Sequence, residues 1–532
     1  MSAVAGFELI LFLMAVILVL ELVAGRLHMP PAAAFILGGI ALALTPGVPG
    51  FAMDPDLVLV LFLPPLLLSG AYFTSWRDFR RSLRVIIGLS VGAVAFTTLA
   101  VGVVAHWAAP ALPWAACFAL GAILSPPDAV AAKAVLQRLA LPRRLTMLLE
   151  AESLVNDASG LVLYRFAVTA ALTGAFSARE AAQTFGLLAF GGIGVGLAFG
   201  LLTELLLRKL RHTHLVTIAS FLIAWSSYIA ADRIGVSGVL STVTCGMIMG
   251  VRQHSVLSAM TRTQARAVWG MAGFVLESLV FILIGLSLRG ILERLGGSSW
   301  DHLMPLLPAT AAITGAVIVT RFIWIFLTAE GPRLFNVFRV NKAPKIPVAT
   351  QVVMGWAGMR GVVSLAAALA LPEGFPGRDF ILAVTFAVIL VTVLIQGSTL
   401  APLVRLMRLD RYSGSTTQKG REAAARARVI AAQLAEVEKH SLQPDGTHRH
   451  PRLIEQFTHR VRVSNNFAQD VDGLTGKRDE HYSVVLAAIS AGRRELLRLH
   501  GGNEIHDSIL QAIENELDLE ELNARRALGV TG

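Results

Sequence analysis

Over roughly the first 400 positions, apolar residues come in runs of about twenty, the length a helix needs to cross the hydrocarbon core of a bilayer. Thirteen such runs can be marked, at residues 4–24, 31–47, 56–72, 84–105, 113–132, 145–171, 181–207, 215–231, 236–250, 267–289, 303–328, 347–371 and 380–403. Short polar loops separate them, and several are interrupted by Gly or Pro. The first run has no basic residue ahead of it and ends in Gly25-Arg26. A cleaved secretory signal looks different, so this run reads as an uncleaved first span. After Arg408 the pattern changes: a polar stretch at Ser413–Gln418 leads into helical patterns at 419–440, 452–471, 479–500 and 503–528. The expected architecture is an all-α polytopic membrane domain over residues 1–410, followed by a cytoplasmic helical domain over 411–532 that serves regulation or assembly. His440, His448, His450 and His459 flank a loop marked by Pro444, Asp445 and Gly446, and read as solvated side chains.

Composition agrees with the pattern. Of 532 residues, 55% are hydrophobic and only 15% charged, against roughly 25% charged in an ordinary globular chain. That excludes a soluble enzyme and a disordered chain. The formal net charge of +10 belongs wholly to the apolar part, because residues 411–532 hold 17 basic and 17 acidic residues while residues 1–410 hold 29 and 19. No basic tail interleaved with aromatics appears, so a nucleic-acid partner is not expected. Distributed over the loops, 21 Lys/Arg fall on one side and five on the other, with Arg165, Arg321 and Arg360 inside spans. By the positive-inside rule the N-terminus is expected outside and the tail in the cytoplasm. Cys117 and Cys245 each lie in an apolar run and imply neither a disulfide nor a metal site.

Ionisable residues within spans are costly and default to function. The fifth span contains Ser125-Pro126-Pro127-Asp128, where two prolines in succession remove two backbone donors and predict a broken helix. Broken helices at mid-membrane are how many secondary transporters build ion sites, and Asp128 is placed to cap the new helix or face a cation. The sixth span carries Glu152-Ser153-Leu154-Val155-Asn156-Asp157. Helical spacing puts Glu152 with Asn156 on one stripe and Ser153 with Asp157 on the next, and a carboxylate beside a hydroxyl suits an alkali cation or a proton. Arg321 lies in the eleventh span, and Arg360 in the twelfth within Gly358-Met359-Arg360-Gly361, whose glycines allow a second break or close packing. Three acids, Asp128, Glu152 and Asp157, therefore face two arginines. The carboxylate left over is open to a proton or a cation but not to both, which is the minimal physics of exchange. Glu277 in the tenth span is divided between the ion route and a packing or subunit contact; Glu21, near Arg26, reads as interfacial.

In order along the chain, Leu63-Pro64-Pro65-Leu66-Leu67, Ser125–Ala131, Glu152–Asp157, Ile234–Leu240 and Gly358–Ser364 resemble the ordered motifs of the NhaP-like monovalent cation/proton antiporters, a group that includes the animal sodium/proton exchangers. The resemblance runs over about residues 5 to 408. It implies two inverted repeats of the NhaA-like kind, with crossed, partly unwound helices in spans 5 and 12, a mobile core and a dimerisation domain. It further implies that Asp157 binds the cation or proton, that Asp128, Ser153 and the Pro127 carbonyl complete the site, and that Asn156 orients it. Glu152 is implied to pair with Arg321 as a structural bridge, with Arg360 balancing charge. The Asn156-Asp157 pair marks the branch associated with electroneutral exchange. Two departures stand out: Ser69 occupies a position where relatives often carry an acid, and Pro127 stands where Thr is commoner.

The expected activity is thus exchange of Na+, or of Li+ or K+, for H+ across the inner membrane by a lipid-embedded homodimer, without a cofactor. A potassium/proton antiporter of the same fold is the alternative, and a passive channel a lesser one. An intramembrane enzyme is set aside because no metal-ligand spacing or nucleophile motif lies in any span.

Overall fold

The computed structural model describes residues 3–46, 55–128, 132, 142–174, 177–210, 212–295, 304–334, 347–409, 416–502 and 504–529. Ala129–Ala131 of the fifth-span motif, and the loop residues Lys133, Arg138, Arg211, Arg339, Lys342 and Lys345, lie outside them. The chain divides into two compact units, Met1–Ser413 and Gly414–Gly532.

Among the described residues of the first unit, every regular element is a helix. It begins with α1 (Ala3–Leu27), α2 (Pro31–Leu44) and α3 (Pro55–Phe73), followed by the long α4 (Trp76–Ala108) and the short α5 (Trp114–Leu124). Next come α6 (Arg143–Thr173), α7 (Ala178–Lys209), α8 (Thr213–Ile234), α9 (Gly238–Val256), α10 (Ala259–Arg294) and α11 (Leu306–Leu334). The twelfth apolar run is two helices, α12 (Val348–Trp356) and α13 (Val362–Leu369), and α14 (Arg378–Leu406) closes the unit. Among the described residues, six helices are long and apolar enough to cross a membrane: α4, α7, α8, α10, α11 and α14.

The helices pack in two groups. In one, α7, α8 and α9 bundle together with α3, while α10 lies along α2 and α1 flanks it. The α2–α10 seam is very close: a Cβ on Gly39 would sit 2.2 Å from the Ile282 carbonyl oxygen, and one on Gly285 2.3 Å from that of Ile36. Without hydrophobic drive between helices in lipid, small residues that let backbones approach are the usual device. In the other group α4, α5, α6, α11, α13 and α14 pack mutually. Its core is built from Ala116, Leu120, Ile123, Ile313, Ala368 and Ile381, all essentially inaccessible. Cys117 and Cys245 are free and buried, one in each group.

Two proline pairs behave differently. Pro64-Pro65 lies inside α3 without interrupting it, whereas α5 ends at Leu124, just before Ser125-Pro126-Pro127. Prolines are tolerated inside membrane helices where neighbouring groups re-satisfy the freed backbone, and in α3 the Leu61 carbonyl, four residues before Pro65, accepts from Trp225 Nε1 of α8 at 3.2 Å.

The second unit holds α15 (Thr416–Ser441), α16 (Pro451–Gln469), α17 (Val471–Gly501) and α18 (Asp507–Leu528). Arg493 on α17 bridges Asp518 and Glu521 on α18, at 2.5 and 2.8 Å. Between α15 and α16, Asp445 accepts from both the amide and the hydroxyl of Thr447, which holds its carboxyl below the ordinary Asp value. Among the described residues no group of three His, Cys, Asp or Glu is placed to hold a metal ion.

Candidate functional site

The end of α5 and the break between α12 and α13 meet and are hydrogen-bonded to each other. The amide of Asp128 donates to the Met359 carbonyl at 2.7 Å. The last carbonyls of α5, which a helix terminus leaves without partners, are taken up by side chains. Ser125 Oγ donates to Ala122 O at 3.0 Å, Ser364 Oγ to Ile123 O at 2.7 Å, and Arg360 Nε to Leu124 O. The Pro127 carbonyl accepts from Asn156 Nδ2 at 2.9 Å. Every described residue of this network is buried or nearly so, with Asn156 inaccessible and Arg360 at 1%. The open end of α5 is thus satisfied by donors from α6, from α13 and from Arg360 just ahead of α13.

The two arginines are held in different ways. Arg321 on α11 forms a bidentate pair with Glu152 on α6, Nη1 to Oε1 at 2.7 Å and Nη2 to Oε2 at 3.1 Å, and its Nε donates to Met354 O at 3.1 Å. Their side chains are 5% and 1% exposed, so solvent does little to screen the pair. Arg360 donates instead to the carbonyls of Leu124 and Gly358, and its own amide donates to Thr392 Oγ1 at 3.1 Å. Both glycines beside it make room for side chains from other helices. A Cβ on Gly361 would fall 1.6 Å from Asp128 Oδ2, and one on Gly358 2.3 Å from Arg321 Cδ.

A cavity of about 100 Å³ lies where α3 and α10 of one group meet α6, α13 and the α5 break of the other. Asp128, Ser153 and Asp157 line it, together with Ser69 from α3 and Glu277 from α10. Among the described residues no hydrogen bond or ion pair engages the Asp157 carboxylate, although it is only 7% exposed. Asn156 holds the Pro127 carbonyl next to Asp128, and Glu152, Arg321 and Arg360 are bonded around the same place.

Two residues in this network had no signal in the charge pattern. Each sits in a π-helical turn, Gly88–Gly92 within α4 and Thr392–Gln396 within α14. Ser90 Oγ donates to the Glu152 carbonyl at 3.1 Å, and Thr392 receives the Arg360 amide. Single π turns recur at functional sites, and both of these buttress the backbone of a buried ion.

A helix end and a helix break that meet beside a buried acid-and-hydroxyl cavity are features of the secondary-transporter class. The family model of the sodium/hydrogen exchangers, transmembrane, matches residues 10–406, and the chain belongs to that family. It is 33% identical over 535 aligned positions to an uncharacterized Na(+)/H(+) exchanger of Mycobacterium tuberculosis, covering 98% of this chain and 96% of that one. The Na(+)/H(+) antiporter NhaP of Pseudomonas aeruginosa is 30% identical over 68% of this chain and 83% of its own length. A sodium, potassium, lithium and rubidium/H(+) antiporter of Bacillus subtilis is 33% identical over 67% and 55%. The fold is similar to that of the sodium proton antiporter MjNhaP1 from Methanocaldococcus jannaschii, with TM-score 0.59 and 19% identity over 76% of this chain and 99% of that one.

Proposed function

We propose that the protein exchanges a monovalent cation, Na+ in the first place and Li+ or K+ as alternatives, for H+ at Asp157. The observation that carries this reading is the Asp157 carboxylate itself, buried in a cavity with Asp128 and Ser153 and engaged by no described hydrogen bond or ion pair. Glu152 is neutralised in place by Arg321, so it is a structural ion rather than a carrier. Arg360, whose guanidinium donates to the carbonyls of Leu124 and Gly358, offsets one of the two remaining acids. One carboxylate is then free to alternate between a proton and a cation, and one charge in for one charge out makes the exchange electroneutral. The cation is held by hard oxygen ligands: the carboxylates of Asp157 and Asp128, the Ser153 hydroxyl, and Ser69 across the cavity. Asn156 holds the Pro127 carbonyl and so positions the break.

The proposed topology is thirteen spans in inverted repeats, in the inner membrane, with the tail in the cytoplasm. The cavity is entered from the end where α1 and α3 finish and α6 and α10 begin. That end carries Arg26, Arg77, Arg144 and Arg266, the cytoplasmic side by the positive-inside rule. On α7, Leu187, Phe190, Leu197, Leu201 and Leu205 are exposed, an apolar face that a bilayer or a second copy in a homodimer would cover.

The test is reconstitution into acid-loaded vesicles with a pH dye. Addition of Na+, Li+ or K+ outside is expected to alkalinise the lumen, with no membrane current and no change when the potential is clamped. A current that reverses at the cation equilibrium potential, independent of the proton gradient, would make the protein a channel.

A further inference from the structure

Glu277 has no part in the exchange step at Asp157, yet it lines two cavities at once. Besides the inner cavity there is a wider one of about 640 Å³, bounded by α1, α2, α3, α6 and α10. The two share four lining residues, Ser69, Glu150, Gly273 and Glu277, which stand at the boundary between them, here called the neck. The lining of the wide cavity carries Glu21, Glu150 and Glu277 against a single base, Arg266.

Geometry at the neck points the same way as charge. Gly273 and Glu277 are four residues apart on α10 and so share a face. A Cβ on Gly273, or on Gly270 one turn earlier in the same lining, would meet nothing within 4 Å. Close packing does not account for these two glycines; what they do is leave the passage wide. The carboxylates of the inner cavity come from the α5 break and α6, whereas Glu277 comes from α10, in the other helical group.

We infer that Glu277 is the entry-side carboxylate of the cation path, receiving a partly hydrated monovalent cation at the neck and passing it to Asp157 across the gap between the two helix groups. This rests on the reading of the protein as an exchanger. A cleft whose lining carries more acid than base, here three to one, raises the local concentration of cations, on the order of tenfold where one sign of charge dominates. The effect of Glu277 therefore falls on the cation concentration needed, not on the rate once the site is full.

The experiment uses the full-length protein in vesicles, with Na+ as the probe. Glu277→Gln is expected to raise the half-saturating Na+ concentration about tenfold while the rate at saturating Na+ stays within about twofold. Glu277→Asp is expected to restore most of the affinity. Because Ser69 lines the same neck from α3, Ser69→Glu added to Glu277→Gln is expected to lower the half-saturating concentration again. Gly273→Leu, which fills the neck, is expected to slow exchange even at saturating Na+. An active wild type whose half-saturation is unmoved by Glu277→Gln overturns the assignment of Glu277 alone, as does a lost maximal rate that Asp does not recover. A wild type with no exchange overturns the functional reading beneath it as well.

Discussion

The buried Glu152–Arg321 pair allows a quantitative test of how the site is held. Replacing Glu152 with Gln keeps the side chain's shape and removes its charge, leaving a guanidinium that is 5% exposed without its counter-ion. Breaking a buried pair by removing one partner costs about 3–5 kcal/mol, because the surviving charge is stranded away from water. The bidentate geometry, 2.7 and 3.1 Å, places this pair toward the upper part of that range. For a unit spanning Met1–Ser413, the entropy of melting scales with length so that ~1 kcal/mol moves the midpoint by about 1.2 °C. Glu152→Gln is thus expected to melt about 4–6 °C below wild type, followed by thermal denaturation in detergent. Arg321→Met is expected to lose a similar amount. The double variant removes both charges together, and mutual removal of a buried pair is often close to neutral, so it should melt well above the sum of the singles. Singles that melt within about 1 °C of wild type, or a double variant that is strictly additive, would refute the view that these two ions hold each other in place.

Three further outcomes follow from the geometry. Asn156→Asp sets a carboxylate oxygen against the Pro127 carbonyl it now donates to at 2.9 Å; losing that bond costs about 1–3 kcal/mol, and a lowered melting midpoint with reduced exchange is expected, Asn156→Ala showing the milder loss. Gly361→Ala puts a methyl 1.6 Å from Asp128 Oδ2 and must displace that carboxylate, so exchange should fall at least about tenfold, while Gly374→Ala, where a Cβ meets nothing within 4 Å, should leave exchange as it is. In the tail, Asp445 is held below its ordinary value of 3.8 by Thr447; a depressed acid stabilises its loop at pH above that ordinary value and loses the contribution as pH falls through the lowered one. Thr447→Ala should move the Asp445 titration back up, read by carboxyl NMR on the labelled full-length chain.

What could be read from the sequence, and what could not, divides along a physical line. The helix end before Pro126-Pro127 was legible because two missing amide donors weaken helix continuity, and Gly358-Met359-Arg360-Gly361 because flanking glycines announce close approach. The family was legible because its motifs occur in order, and the match over residues 10–406 shows it. Pro64-Pro65 shows the limit of the same reasoning: the same dipeptide sits in an unbroken α3, where the Leu61 carbonyl that Pro65 leaves without its amide accepts from Trp225 of α8, so the dipeptide alone does not decide whether a helix ends. Ser90 and Thr392 were invisible for a related reason. A lone hydroxyl in an apolar run usually bonds back to its own helix, as Thr392 Oγ1 also does to Ile389 O, and only the folded packing brings these two to Glu152 and Arg360. Glu277 could be read as an intramembrane acid but not assigned, because its meaning depends on which cavity α10 faces.

The central claim is that one cation and one proton compete for the Asp157 carboxylate. It is tested most directly by the half-saturating Na+ concentration of reconstituted protein, measured across a series of pH values with the rate at saturating Na+ recorded at each. Competition predicts that, on the acid side, the half-saturating concentration rises about tenfold for each unit fall in pH while the saturated rate holds, and that Asp157→Asn abolishes exchange at every pH. A half-saturating concentration that does not move with pH, or full exchange by Asp157→Asn, would contradict it.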